Sequence, residues 1–227
     1  TCALPIWLLA TVRQAVAGRL GPTLLDLGDA TKQETADLGD LLIEMSGTGP
    51  ALKVVPYRRY VSKSPASPES FYNQRADQLT GLIGKIVAVE GPIHESEMIR
   101  RVGTHYGFNR TGTRIEQKIR RCLEGAVRLG RLVERDGFLW PPDMVVPPVR
   151  HRSDDAVRDI DLVCLEEIAQ GAAMLLTSQF GMSRDDLVVQ AARLLGFQMT
   201  GQRIRQRIET VIDGEIAAGR LLNDGRR

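Results

Sequence analysis

Several common protein classes are excluded by what this chain lacks. Of its 227 residues only three are cysteine, Cys2, Cys122 and Cys164, widely separated and with no Cys-x-x-Cys pair. The three histidines, His94, His105 and His151, share no ligand spacing with them, so neither a structural zinc site nor a disulfide scaffold is expected. A reducing, cytoplasmic compartment fits that usage. Aromatic residues are scarce at 5%. No run of about 18 apolar residues exists, so no bilayer span and no membrane partner are expected. An excess of one charge is missing too: 30 Lys and Arg against 28 Asp and Glu leave +2. That total is too small to argue for nucleic acid, so any electrostatic argument must be local.

Catalytic motifs are equally thin. Gly47-x-Gly49 and Gly84-Lys85 resemble pieces of a phosphate loop, but no complete Gly-x-x-x-x-Gly-Lys-Ser/Thr occurs. Asp154-Asp155, Glu166-Glu167 and Asp185-Asp186 are acidic pairs, the last best read as first-turn acid behind a Ser183 N-cap. No Ser, Cys or His stands in a triad context. No catalytic residue, metal or cofactor is expected.

What the chain does have is ordinary globular composition, 43% hydrophobic and 26% charged, with 22 glycines marking frequent element ends. Residues 1–6 coincide with the translation of the end of a common sequencing-library adapter. We expect them to derive from one, and the chain to be a fragment of a longer protein. Residues 8–20 and 34–45 read as short helices, and 46–70, rich in Pro, Gly and Ser, as linker. Within it, Tyr57-Arg58-Arg59-Tyr60 suits either nucleic-acid contact or, preferably, an extended segment packed on a neighbour.

From Gln74 the pattern becomes regular. Leu79, Leu82, Ile83, Ile86 and Val87 recur at helical spacing to Glu90, where Gly91-Pro92 stops the run. Residues 95–106 form a second helix. Thr111-Gly112-Thr113 opens a third, with Thr111 as expected N-cap and an apolar stripe of Ile115, Ile119, Cys122, Leu123, Ala126 and Val127. Gly130 closes it. Leu132-Val133 and Phe138-Leu139-Trp140 then flank Asp136-Gly137, a hairpin signal, and Ile93-His94 would pair with that hairpin. Trp140 is expected to pack the hairpin onto the core. Three helices followed by a β-hairpin is the order of a winged helix-turn-helix.

A second copy follows at an offset of 89 residues, with no gap from Ile93 to Asp136. Gly107-Phe108 meets Gly196-Phe197, Thr111-Gly112-x-Arg114-Ile115 meets Thr200-Gly201-x-Arg203-Ile204, and Gly130-Arg131-Leu132 meets Gly219-Arg220-Leu221. Between 107 and 132 there are 12 identities in 26 positions, far above chance. The spacing predicts helices near 162–179, 184–195 and 201–218 and the start of a hairpin. The expected fold is therefore mainly α with small β-hairpins: an N-terminal remnant and linker (1–75), then tandem winged-helix domains at 76–149 and 150–227.

Cations gather on the third helix of each copy. Arg114, Lys118, Arg121 and Arg128 fall at i, i+4, i+7 and i+14 opposite the apolar stripe, with Arg110 just before them. Arg203 and Arg207 take the places of Arg114 and Lys118 in the second copy. The expected contacts with double-stranded DNA are Arg110, Arg114, Lys118, Arg121, Arg203 and Arg207, chiefly to phosphate. A charged outer face is also the default of any amphipathic helix, and winged helices serve as protein docking modules, so a scaffold role stays open.

Val87-x-Val89-Glu90-Gly91-Pro92-Ile93-His94-Glu95, Arg100-Arg101-Val102, Gly107-Phe108-x-Arg110-Thr111-Gly112-x-Arg114-Ile115, Phe138-Leu139-Trp140-Pro141 and Arg150-x-Arg152-Ser153 together resemble the uncharacterised C-terminal domain of large bacterial DNA helicase-related proteins. The resemblance covers roughly 80–227. It implies an AAA-type ATPase core of the superfamily-one helicase kind, and often a restriction-endonuclease-like domain, upstream in the same parent chain. It implies a role in DNA transactions such as defence or repair and carries over no catalytic residue; with catalytic motifs missing, the region is expected to be a non-catalytic, DNA-binding accessory module of such a protein.

Overall fold

The computed structural model describes residues 53–62, 64–153, 159–179 and 181–222. The adapter-like start, the expected helices at 8–20 and 34–45, Asp154-Asp155 and the end of the expected second hairpin lie outside them. The described chain is mainly helical with a few short strands. In order it runs β1 (Val54–Pro56), α1 (Pro68–Asn73), α2 (Ala76–Glu90), β2 (Ile93–His94), α3 (Glu95–His105), α4 (Thr113–Arg128), β3 (Val133–Arg135), β4 (Phe138–Trp140), β5 (Val149–His151), a 3-10 turn (Ile160–Leu162), α5 (Leu165–Ser178), α6 (Arg184–Leu194) and α7 (Gln202–Ala217).

The first unit is built on α2, α3 and α4. Leu79, Ile83 and Ile86 from α2, Met98 and Val102 from α3, and Ile119 and Leu123 from α4 form one buried cluster. Each fully buried aliphatic of this kind contributes roughly 1.5–3 kcal/mol relative to exposure. Asp136 (φ 49) and Gly137 (φ 79) both take the left-handed conformation that a two-residue type I′ turn requires. The hairpin they close, β3–β4, pairs through β4 with β2, giving the order β2-β4-β3.

The second unit repeats the first with little change in boundaries. Helix α6 (184–194) is α3 (95–105) displaced by 89, and α7 (202–217) is α4 (113–128) displaced by 89. The turns repeat bond for bond. Phe108 N–H reaches Gly103 O at 2.9 Å, and Phe197 N–H reaches Ala192 O at 2.9 Å. Arg131 N–H reaches Ala126 O and Arg220 N–H reaches Glu215 O, again both at 2.9 Å. The repeat also extends upstream of Ile93. Phe71 in α1 and Ile160 in the 3-10 turn are 89 apart, and both are buried plugs of their units.

One sequence expectation is corrected. Neither Thr111 nor its counterpart Thr200, expected to cap in the same way, is an N-cap: Gly112 takes that place in α4 and Gly201 in α7, neither with a side-chain cap bond. The Gly112 carbonyl already accepts from Ile115 and Glu116 N–H. The Thr111 methyl instead sits against Gly103, 2.7 Å from where a Cβ there would stand. Ser183 does cap α6, accepting from Asp186 N–H at 3.2 Å.

Residues 54–60 are a structural part of both units. Strand β1 pairs in parallel with β5, Val55 opposite Arg150, between the first and second units in sequence. Trp140, fully buried, meets Phe138 and Cys164, so β4 faces the start of the second unit.

Candidate nucleic-acid interface

Helix α4 buries one face through Ile115, Ile119, Cys122, Leu123 and Ala126, which forces its remaining residues outward. Arg114 and Arg121 lie on that exposed side, and Arg110 is exposed on the turn before it. No carboxylate among the described residues pairs with any of the three. Arg120, on the flank, is held by Glu95 at 2.7 Å and Glu116 at 3.3 Å.

Lys118 is placed differently from its neighbours. Its ammonium donates to the carbonyls of Phe71, Tyr72 and Gln74 at 2.7, 3.1 and 3.1 Å, closing the C-terminal end of α1. It also lies 4.9 Å from the Phe71 ring centre. All three of its donors have partners within the fold, so its charge holds α1 against α4.

In the second unit the equivalent cations face acids. Arg203 bonds Asp161 through Nε at 2.9 Å and through Nη2, and lies 3.5 Å from Asp159. Arg207 Nε is 3.9 Å from the other Asp161 oxygen. Arg205 pairs with Asp185 at 2.7 Å and Glu209 at 3.4 Å. The counterparts of Arg110 and Arg121 are Met199 and Thr210, neither of them basic. The two helices that look alike in sequence therefore present different fields.

Sequence reasoning missed a cluster of buried charged groups among the described residues. Glu90, fully buried, accepts from Tyr57 Oη–H (2.6 Å), Tyr60 N–H (2.9 Å) and Arg101 Nε–H (2.8 Å). Glu167, also fully buried, binds Arg150 and Arg152 together, with Arg150 Nη2 at 2.5 Å and Arg152 Nη1 at 2.8 Å. The Arg150 guanidinium spans the two units, donating also to the carbonyls of Glu90 (2.6 Å), Gly91 (3.2 Å) and Pro92 (3.0 Å). The Tyr57 ring lies 5.4 Å from the Arg150 guanidinium and 5.1 Å from that of Arg152. A signal was present, because Leu79, Ile83, Ile86 and Glu90 share one helix face and a carboxylate in a core register needs a partner.

These surroundings shift protons in definite directions. Burial, reinforced by the Glu90 carboxylate, pushes the Tyr57 phenol up to about 12. Burial alone would raise the Glu167 carboxyl, but Arg150 and Arg152 outweigh it and hold the group below its ordinary value. Burial, with Glu167 close by, pushes the Cys164 thiol up to about 12.

Among the described residues no group of three or more His, Cys, Asp or Glu side chains is placed to hold a metal ion. No helix among them is long and apolar enough to cross a membrane. Residues 69–117 match a family described as "Protein of unknown function (DUF3320)". The match runs from α1 into the second turn of α4, and so includes Arg110 and Arg114. No curated protein and no solved structure matches this chain.

Proposed function

We propose that the first unit is a winged helix that binds duplex DNA through α4, and that the chain is a non-catalytic accessory module of a helicase-like DNA-processing protein. The observation that carries this reading is the set Arg110, Arg114 and Arg121, exposed on the third helix and the turn that leads into it, with no carboxylate partner among the described residues. The hairpin contributes little charge to such a contact, because Arg135 lies over the Trp140 ring at 4.7 Å while Glu134 and Asp136 are exposed. Binding is then mostly electrostatic and independent of base sequence. Three phosphate contacts give a log–log salt slope of about −2.7. The helicase context rests on the sequence resemblance.

Fluorescence anisotropy with a labelled duplex tests the proposal. Arg114→Glu with Arg121→Glu should remove binding, whereas Arg203→Glu with Arg207→Glu should leave most of it. Absent binding by the wild-type chain at low salt, or equal loss in both double variants, refutes it. The second unit favours a different role. Its third helix pairs Arg203 and Arg205 with neighbouring acids, which suits a docking surface toward ATPase or nuclease domains of the parent protein. Co-purification with those domains, lost when α7 surface residues are changed, would test that role.

A further inference from the structure

Tyr72 is half exposed, at 51%, in a chain with few aromatics. It is nonetheless held in place. Phe71 and Phe108 meet its ring edge-to-face at 5.7 and 6.3 Å between centres. The Arg114 guanidinium lies 5.8 Å from its centre. The short helix that carries it is fastened to α4 by Lys118 through three carbonyls, one of them Tyr72's own. The body of the unit is plugged by Phe71, which is fully buried, so the exposed ring next to it is not needed to fill the core.

The second unit shows that the position can be filled otherwise. Tyr72 displaced by 89 is Asp161, and the pairing partner is conserved in place: Arg114 beside Tyr72, Arg203 beside Asp161. The aspartate neutralises its arginine. The tyrosine leaves the charge of Arg114 in force and adds an exposed aromatic surface beside it. An ordered ring next to an uncompensated guanidinium is what an unpaired base and its phosphate require, one to stack on and one to pair with.

We propose that Tyr72 and Arg114 form a stacking site for an unpaired base, so that the DNA bound by α4 is a duplex with an adjoining single strand rather than a blunt duplex. This rests on the DNA-binding reading above and specifies its substrate. The fixed geometry of α1 means that the ring is presented before DNA arrives, with little ordering left to do on binding.

The test uses the full 227-residue chain with a blunt duplex and with the same duplex carrying a single-stranded tail, the first tail base being a fluorescent adenine analogue. The tailed DNA is expected to bind more tightly, and its analogue to be quenched by stacking. Tyr72→Ala should lower affinity for the tailed DNA by roughly 5- to 150-fold, abolish the quench and leave blunt-duplex affinity unchanged. Tyr72→Phe should keep both the affinity and the quench. Tyr72 is exposed enough for these variants to fold, and circular dichroism checks that they do. Equal wild-type affinity for the two DNAs, or an alanine variant that still prefers the tail, overturns the stacking site while leaving duplex binding intact. Failure of the wild type to bind either DNA overturns the stacking site and the reading beneath it together.

Discussion

Replacing Glu167 with alanine removes the acceptor for two buried guanidinium groups at once. In the wild type its oxygens receive Arg150 N–H at 2.9 Å, Arg150 Nε and Nη2 at 3.1 and 2.5 Å, and Arg152 Nη1 and Nη2 at 2.8 and 2.9 Å. The two arginines do not suffer equally from its loss. Arg150 keeps hydrogen bonds to the carbonyls of Glu90, Gly91 and Pro92, whereas the Arg152 guanidinium keeps one, to the Arg150 carbonyl at 2.8 Å, beside the Tyr57 ring. One uncompensated buried charge costs about 3–5 kcal/mol, so Glu167→Ala is expected to remove that much, a large share of the roughly 5–15 kcal/mol available to a typical domain. Glu167→Ala with Arg152→Met should recover part of the loss, because the stranded charge is gone. Urea unfolding followed by circular dichroism measures both, with similar m-values required for the comparison. Acid gives an independent check. The Glu167 carboxyl titrates below its ordinary value of 4.5 in the folded chain, so its contribution is present above that value and is lost as pH falls through the folded value. A loss under about 1 kcal/mol in Glu167→Ala, in the range of exposed ion pairs, would refute the view that this cluster joins the two units.

Two further outcomes follow from the same region. Gly196 has φ +96, and a Cβ there would stand 2.0 Å from the Arg152 carbonyl oxygen; Gly196→Ala should therefore lower the melting temperature sharply, while Gly219→Ala, at φ +68 with open space around it, should cost only about 1 kcal/mol. Cys122 and Cys164 are both buried, and Cys164 is further protected by its raised pKa, so a thiol reagent should modify Cys164 only on unfolding; rapid native labelling at pH 8, read by mass spectrometry of the tryptic fragments, would contradict this packing.

The elements that could be read from the sequence are those set by local chemistry. Asp136-Gly137 announces its turn because few other dipeptides tolerate two left-handed residues in succession. The boundaries of α6 and α7 were legible because the offset of 89 carried them over from α3 and α4. Thr111 misled because threonine caps many helices, while glycine leaves the first carbonyl available without any side chain to show for it. Lys118 could not be assigned, since the carbonyls it binds lie more than 40 residues earlier. The same is true of Arg150 and Glu90, whose meeting depends on how two units are set against one another. The difference between α4 and α7 was hidden for a related reason, because Asp161, which neutralises Arg203, is 42 residues away from it.

The two repeated units differ at a buried ion pair. The buried Glu90–Arg101 pair of the first unit has its counterpart, 89 residues on, in Gln179 and Gln190, whose amides share a hydrogen bond of 2.8 Å at the surface. Only the charged version is joined to β1 and to Arg150. Tension applied to the chain ahead of Val54 would therefore enter the molecule through β1, along which the parallel pairing with β5 is loaded in shear. It would arrive at residues 149–152, the seam of the two units, before reaching either helix bundle. Arg150, bonded there to the Glu90, Gly91 and Pro92 carbonyls on one side and to Glu167 on the other, is the side chain through which such a load would pass from one unit to the next.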